Sequence, residues 1–131
     1  MTAKKLLESK KATKEALIKL DEALSAIKTH KGQDRFLLED AVVKRFEVLF
    51  EYCWKMLKTA IEFEGGDAQS PRSAIQEAVR YGWIGDADLW VLALDTRNAT
   101  VHDYFSSAPN DYLDVIKNFS KETALVIERI K

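Results

Sequence analysis

Four polar side chains that could bind or attack a phosphate lie within eight positions of the segment LDTRNATVHDYF (94–105): Arg97, Asn98, His102 and Tyr104. A histidine titrates near neutrality and could take a proton from a ribose 2′-hydroxyl. An arginine could hold the phosphate and stabilise the charge that develops on it. Chemistry of this kind needs no metal ion. The segment therefore predicts either a phosphate-directed site or a polar helix face with ordinary structural roles.

Arg97 lies near the apolar side of its predicted helix, because at about 100° per residue it points within about 40° of Val101. Burying a guanidinium there without a partner would be costly, so the alternative to a ligand site is an ion pair. The candidate carboxylates for this pair are Asp95, Glu47 and Glu51.

Arg97 and His102 are five residues apart and diverge by about 140° around an ideal helix. One helix alone is therefore poorly suited to aim both side chains at one phosphorus. A second copy of the helix across a two-fold axis would bring the arginine of one subunit near the histidine of the other. The catalytic hypothesis thus requires a homodimer.

A second polar face is predicted where Glu47, Glu51, Lys55 and Lys58 recur at i,i+3 and i,i+4 spacing. The simplest interpretation is a solvated face with ion pairs of about 0.3 kcal/mol each. Two carboxylates one turn apart could instead do acid–base work, hold Mg²⁺ or support Arg97. The chain has one cysteine and two widely separated histidines, so we predict no metal site.

Helical periodicity of apolar residues predicts the elements that position these groups, and no stretch shows convincing strand alternation. A first helix should end near THKGQD (29–34), where Gly32 is the candidate terminator, and a second should end at EFEGGDAQSP (62–71). Ser70 caps a short third helix that ends near Gly82, and Asp86 caps a fourth that runs through Phe105. A fifth helix covers 111–131.

Apolar stripes on three of these helices define the expected core. The predicted inward positions are Leu6, Thr13, Leu17, Leu20, Leu24, Ile27, Val42, Val43, Phe46, Leu49, Phe50, Cys53, Met56, Leu57, Ala60, Leu113, Ile116, Phe119 (or Ser120), Thr123 and Ile127. The predicted fold is all-α: an antiparallel up-and-down four-helix bundle with an additional short helix, in which residues 1–131 form a single domain.

Composition limits the classes of function. Twenty basic and 21 acidic residues give a net charge of −1, so any nucleic-acid binding must come from a local patch. The lone Cys53 permits no internal disulfide, no apolar run approaches the ~20 residues of a membrane span, and the first residues lack the apolar segment of a signal peptide. We therefore expect a cytoplasmic protein that does not insert into a membrane.

Three segments carry a resemblance to a known family. RNATVHDY (97–104) matches the R-x4-H-x-Y signature of the HEPN superfamily (higher eukaryotes and prokaryotes nucleotide-binding). KRFEVLFEYCWKMLK (44–58) and SPRSAIQEAVRYGWI (70–84) are similar to segments of its branch often labelled nucleotidyltransferase substrate-binding protein.

The resemblance implies small helical bundles that dimerise with their R-x4-H helices facing each other in a cleft. Such proteins are commonly encoded beside a minimal nucleotidyltransferase (MNT), and the pair acts as a toxin–antitoxin system or a two-part enzyme. In many cases the HEPN member is a metal-independent endoribonuclease that needs no cofactor. By this similarity, Arg97 and His102 are catalytic, Asn98 orients them, and Tyr104 is a candidate site of adenylylation by the partner.

Two further interpretations stay open. The bundle could be a non-catalytic subunit that binds nucleotide or substrate for a separate nucleotidyltransferase, using the same residues without breaking a bond. It could also be a purely structural dimerisation bundle.

Overall fold

Five α-helices build the chain in a computed structural model that describes residues 3–103 and 109–131, with side chains described at 3–99 and 112–131. They are α1 (Ala3–Ile27), α2 (Gln33–Phe63), α3 (Pro71–Arg80), α4 (Ala87–Asp103) and α5 (Pro109–Arg129). No strand occurs in these described ranges, which confirms the predicted all-α class.

The helix boundaries follow the local signals in the sequence. The Ser70 hydroxyl accepts a hydrogen bond from the backbone N–H of Ser73 at 3.1 Å, and the Ser73 hydroxyl accepts one from that of Ser70 at 3.0 Å, so α3 begins with a capping box. Gly82, with φ of 79°, provides the left-handed conformation just after this helix. An Asp86 carboxylate oxygen accepts from the backbone N–H of Leu89 at 3.0 Å and caps α4.

The first helix and the last two differ slightly from prediction where the described residues test it. The first helix ends at Ile27, and Gly32 lies immediately before the first residue of α2 and does not end α1. The fifth helix begins at Pro109, two residues before the predicted start at 111, because proline is well suited to the first position of a helix. The predicted end of α4 at Phe105 lies outside the described residues.

Helices α1 and α2 run antiparallel. The Arg45 guanidinium on α2 donates to the carbonyl of Lys19 on α1 at 2.7 Å. The Arg35 guanidinium, nearer the start of α2, donates to the carbonyl of Ile27 at the end of α1 at 3.2 Å. Around the bundle, α1 packs on α2, α2 on α4, α4 on α5 and α5 back on α1, while α3 fills the space between α2 and α4. The up-and-down bundle with one short helix is therefore confirmed.

Aromatic rings at the centre of the bundle join three of these helices. The ring centroid of Phe119 on α5 lies 5.6 Å from that of Phe46 and 5.5 Å from that of Phe50, both on α2. Trp90 on α4 meets Phe119 edge to face at 4.8 Å and is fully buried. Every inward position predicted from the apolar stripes is buried. This core fixes α4 against α2, where the polar residues of interest lie.

Within the described ranges, no helix combines the length and the apolarity that crossing a bilayer requires.

Candidate functional site

The Arg97 side chain lies on α4 at the edge where α4 meets α2, and about 32% of it is exposed. Its Nη2 donates to a carboxylate oxygen of Glu51 at 3.3 Å, and its Nη1 donates to the side-chain oxygen of Asn98 at 3.2 Å. Among the three carboxylates that the sequence offered, the structure thus pairs Arg97 with Glu51 on the neighbouring helix. The positive charge of this half-buried guanidinium is thus paired with a carboxylate, as expected for an arginine near the apolar side of its helix.

Glu51 has a second cationic neighbour. Its other carboxylate oxygen lies 3.3 Å from the Lys55 ammonium, one turn further along α2. The Lys55 side chain is 60% exposed and that of Glu51 is 39% exposed, so this second pair is largely solvated. One carboxylate therefore lies between two cations, and the three side chains together carry one net positive charge.

A shallow recess of about 250 Å³ opens beside Glu51 on α2. Val48, Tyr52 and Lys55 complete its lining. Val48 and Tyr52 are both exposed, although they are large apolar side chains. The recess offers a cation, a phenol and apolar surface next to the carboxylate that holds Arg97.

Asp95, the carboxylate nearest to Arg97 in sequence, has its own cation. Its oxygen lies 3.9 Å from the Arg72 guanidinium, which α3 presents from its first turn, and both side chains are more than half exposed. Sequence reasoning did not single out Arg72 as part of this surface, although it lies in the SPR segment on which the family resemblance rests. Its placement depends on how α3 packs against α4, which no local pattern specifies.

The remaining predicted site residues are only partly described. Glu47 is half-buried one turn before Glu51 on α2, and Asn98 is exposed beside Arg97. The backbone of His102 is helical in α4, so the five-residue separation from Arg97 does correspond to a continuous helix. The side chain of His102 and all of Tyr104 lie outside the described residues.

Cys53 is fully buried in the core and does not belong to this surface. Burial raises the pKa of its thiol to about 12, although a hydrogen bond with Thr123 acts in the opposite direction. The thiol therefore stays protonated at neutral pH and is not a nucleophile. Among the described side chains, no group of three or more His, Cys, Asp or Glu is arranged to hold a metal ion.

An up-and-down helical bundle whose fourth helix carries Arg-Asn-x3-His defines a HEPN-like protein, as the sequence resemblance indicated. The family described as nucleotidyltransferase substrate binding protein like matches residues 9–131, and the chain belongs to this family.

One curated relative and one solved structure are similar in sequence as well as in fold. The chain is 30% identical over 94 residues to the probable ribonuclease HepT of Haemophilus influenzae, and the match covers 68% of this chain but only 64% of that relative. A crystal structure of a Thermus thermophilus protein is 27% identical, covers 86% of this chain and 98% of its own, and superposes with a TM-score of 0.69.

Two more distant structures share the fold. A Haemophilus influenzae protein, described as having the fold of a substrate binding domain of a nucleotidyltransferase, has a TM-score of 0.80 at 23% identity and covers 92% of this chain and 98% of its own. A tri-AMPylated HEPN toxin of Shewanella oneidensis, solved in complex with its MNT antitoxin, has a TM-score of 0.75 at 18% identity and covers 99% of this chain and 98% of its own.

Proposed function

We propose that this protein is the HEPN-type toxin of a two-gene toxin–antitoxin pair and acts as a metal-independent endoribonuclease. The observation that carries the proposal is the half-buried Arg97, held by Glu51 at the α2–α4 edge on the same helix as Asn98 and His102. The similarity to a probable ribonuclease supports the reaction class. An RNA substrate and a protein antitoxin are consistent with a cytoplasmic location.

In the proposed reaction, Arg97 binds the non-bridging oxygens of the scissile phosphate, and Lys55 adds positive charge at the rim. His102 takes the proton from the adjacent 2′-hydroxyl, and the 2′-oxygen forms a bond to phosphorus. The bond from phosphorus to the 5′-oxygen breaks, and that oxygen is protonated by an imidazolium or by water. The products are a cyclic phosphate end and a 5′-hydroxyl end, and charge stabilisation by the guanidinium replaces the role that a metal has elsewhere.

The site is proposed to form between two protomers, because Arg97 and His102 diverge by about 140° on one helix. Each homodimer then has two sites, each with the arginine of one protomer and the histidine of the other. A minimal nucleotidyltransferase is the proposed antitoxin, and Tyr104, two residues beyond His102, is its proposed target. Adenylylation there would add a bulky anion near the site and repel the RNA backbone.

The test is RNA cleavage in EDTA by the wild type and by Arg97→Ala and His102→Ala, with Arg80→Ala as the matched control. Arg80 is an exposed arginine on α3 that pairs with Glu77 at 3.0 Å. We expect losses of about 100-fold or more for the first two variants and less than about twofold for the control. Equal cleavage by all four proteins would reject the assignments.

Mixing the two inactive variants tests the shared site. A heterodimer of Arg97→Ala with His102→Ala keeps one intact site, because each protomer supplies the residue that the other lacks. Half of the dimers in an equal mixture are heterodimers, so activity should recover to about a quarter of the wild-type value. Failure to recover, with subunit exchange shown by mass spectrometry, would exclude a site built from both protomers.

A second candidate is a non-catalytic subunit that binds nucleotide or substrate for a separate nucleotidyltransferase. The family description and the fold of the Haemophilus substrate binding domain favour it. In that case Arg97→Ala would weaken nucleotide binding, the protein would form a complex with the nucleotidyltransferase, and no RNA products would appear under any condition.

A further inference from the structure

A groove of about 550 Å³ runs between α1 and α5. Because the helices are packed in the order α1, α2, α4, α5 around the bundle, this groove lies on the side opposite the α2–α4 edge that carries Arg97. The groove therefore shares no residue with the candidate site described above.

Three of the eight residues that line this groove are lysines. Lys28 lies just after the end of α1, and Lys117 and Lys121 lie one turn apart on α5. The hydroxyls of Ser25 and Ser120 also line it. Leu24 and Ala124 supply apolar surface between the charged groups. Cations and hydroxyls are the side chains that proteins use to contact phosphate and sugar.

Among the described residues of the lining, Asp21 is the one acidic side chain, and its carboxylate accepts a hydrogen bond from the Ser120 hydroxyl. Three lysines and one aspartate leave a local charge of +2 in a protein whose net charge is −1. None of the three lysines forms an ion pair with another residue in the described part of the chain.

Cations on the opposite side of the bundle are paired with carboxylates. Lys55 and Arg97 share Glu51, Lys58 pairs with Glu62 at 3.4 Å, and Arg72 pairs with Asp95. The three groove lysines thus retain counterions from solution. Release of such counterions is the main source of affinity for a phosphate backbone.

We infer that the α1–α5 groove binds the phosphodiester backbone of single-stranded RNA, as an accessory surface outside the cleavage site. The inference rests on the proposed function insofar as RNA is the ligand of the protein, but it does not require that the RNA be cleaved. Contacts to phosphate carry no sequence information, so the groove adds affinity without base specificity.

The experiment measures binding of a fluorescent 20-nucleotide 2′-O-methyl RNA, which lacks the nucleophile for cleavage, across a range of salt concentrations. The test variant is Lys117→Gln/Lys121→Gln, and the matched control is Lys19→Gln/Lys44→Gln. Both variants lose two positive charges, and Lys19 and Lys44 are exposed residues outside the groove lining. Circular dichroism and the urea midpoint verify that both variants fold.

We expect the groove variant to bind the RNA roughly tenfold more weakly than the wild type at low salt. The plot of log affinity against log salt should be less steep for this variant by about 1.4, that is, by about 0.7 for each lost phosphate contact. The loss should be equal for RNAs of different sequence. The control should change affinity by less than about twofold.

Three outcomes would overturn the inference: no RNA binding by the wild type at low salt, equal losses in both variants, or unchanged RNA binding with weaker binding to the partner nucleotidyltransferase. The last outcome would make the groove a protein-docking surface. If the groove variant bound RNA more weakly but the wild-type protein never cleaved RNA, the inference about the groove would stand and the ribonuclease proposal would be rejected.

Discussion

Replacing Glu51 by glutamine is the most direct test of how the candidate site is held together. The substitution keeps the size of the side chain and removes its charge, so the Arg97 guanidinium loses its anionic partner at 3.3 Å while packing is retained. Lys55 loses the same partner at 3.3 Å. The two pairs can therefore be compared in one experiment.

The magnitude follows from distance and exposure. Two unit charges 3.3 Å apart interact by about 5 kcal/mol at an effective dielectric constant of 20 and by about 1.3 kcal/mol in water. Because 32% of the Arg97 side chain and 39% of the Glu51 side chain are exposed, solvent and side-chain entropy reduce the coupling toward the lower value. We expect a coupling of about 0.5–1 kcal/mol for Arg97 with Glu51, and about 0.3 kcal/mol for the more exposed Lys55.

The assay is a pair of double-mutant cycles followed by urea denaturation. One cycle combines Glu51→Gln with Arg97→Gln, and the other combines Glu51→Gln with Lys55→Gln. Free energies of unfolding are compared only among variants with the same dependence on denaturant. A coupling for Arg97 that is no larger than that for Lys55 would refute the conclusion that Glu51 holds the guanidinium. This result does not depend on whether the protein cleaves RNA.

Two further predictions concern stability. Ser70→Ala should lower the free energy of unfolding by about 1 kcal/mol, because it removes the acceptor for the N–H of Ser73 at 3.1 Å. A urea midpoint equal to that of the wild type would contradict this prediction. Since burial raises the pKa of Cys53 from 9.0 to about 12, the folded state keeps a proton that the unfolded chain loses above pH 9. The stabilisation is full below that pH and is lost as the pH rises toward 12, by about 1 kcal/mol at pH 10. Between pH 8 and pH 10, the urea midpoint of the wild type should fall more than that of Cys53→Ala, which lacks the thiol. Equal falls in the two proteins would exclude a contribution from the Cys53 pKa.

The fold could be predicted from sequence because its determinants are local or periodic. Ser70, Asp86 and Gly82 each mark a helix end through a hydrogen bond or a backbone conformation within four residues along the chain. The apolar stripes of α1, α2 and α5 repeat over several turns, so single exceptions do not obscure the buried face. The sequence pattern predicts the start of α5 two residues too late, because Pro109 favours a helix start as readily as a break.

The partner of Arg97 could be narrowed from sequence but not identified. Asp95 lies two positions away on the same helix, and residues at i,i+2 do not face each other, so local geometry already disfavours it. Glu47 and Glu51 are one turn apart on another helix and lie on the same face. Choosing between them requires the axial offset of α4 along α2, which depends on how Trp90 of α4 and Phe46 and Phe50 of α2 pack on Phe119 of α5. No sequence pattern encodes that offset.

If Arg97 binds phosphate as proposed, the Glu51 carboxylate has opposing effects on that binding. It fixes the guanidinium and lowers the entropic cost of ordering it, but it also competes with the phosphate for the same donors. Lys55 reduces this competition, since it pairs with the other oxygen of the same carboxylate. An incoming phosphate can then displace Glu51 from Arg97 while the carboxylate keeps a cation. The Arg97–Glu51–Lys55 arrangement is therefore better suited to reversible phosphate binding than an isolated ion pair would be.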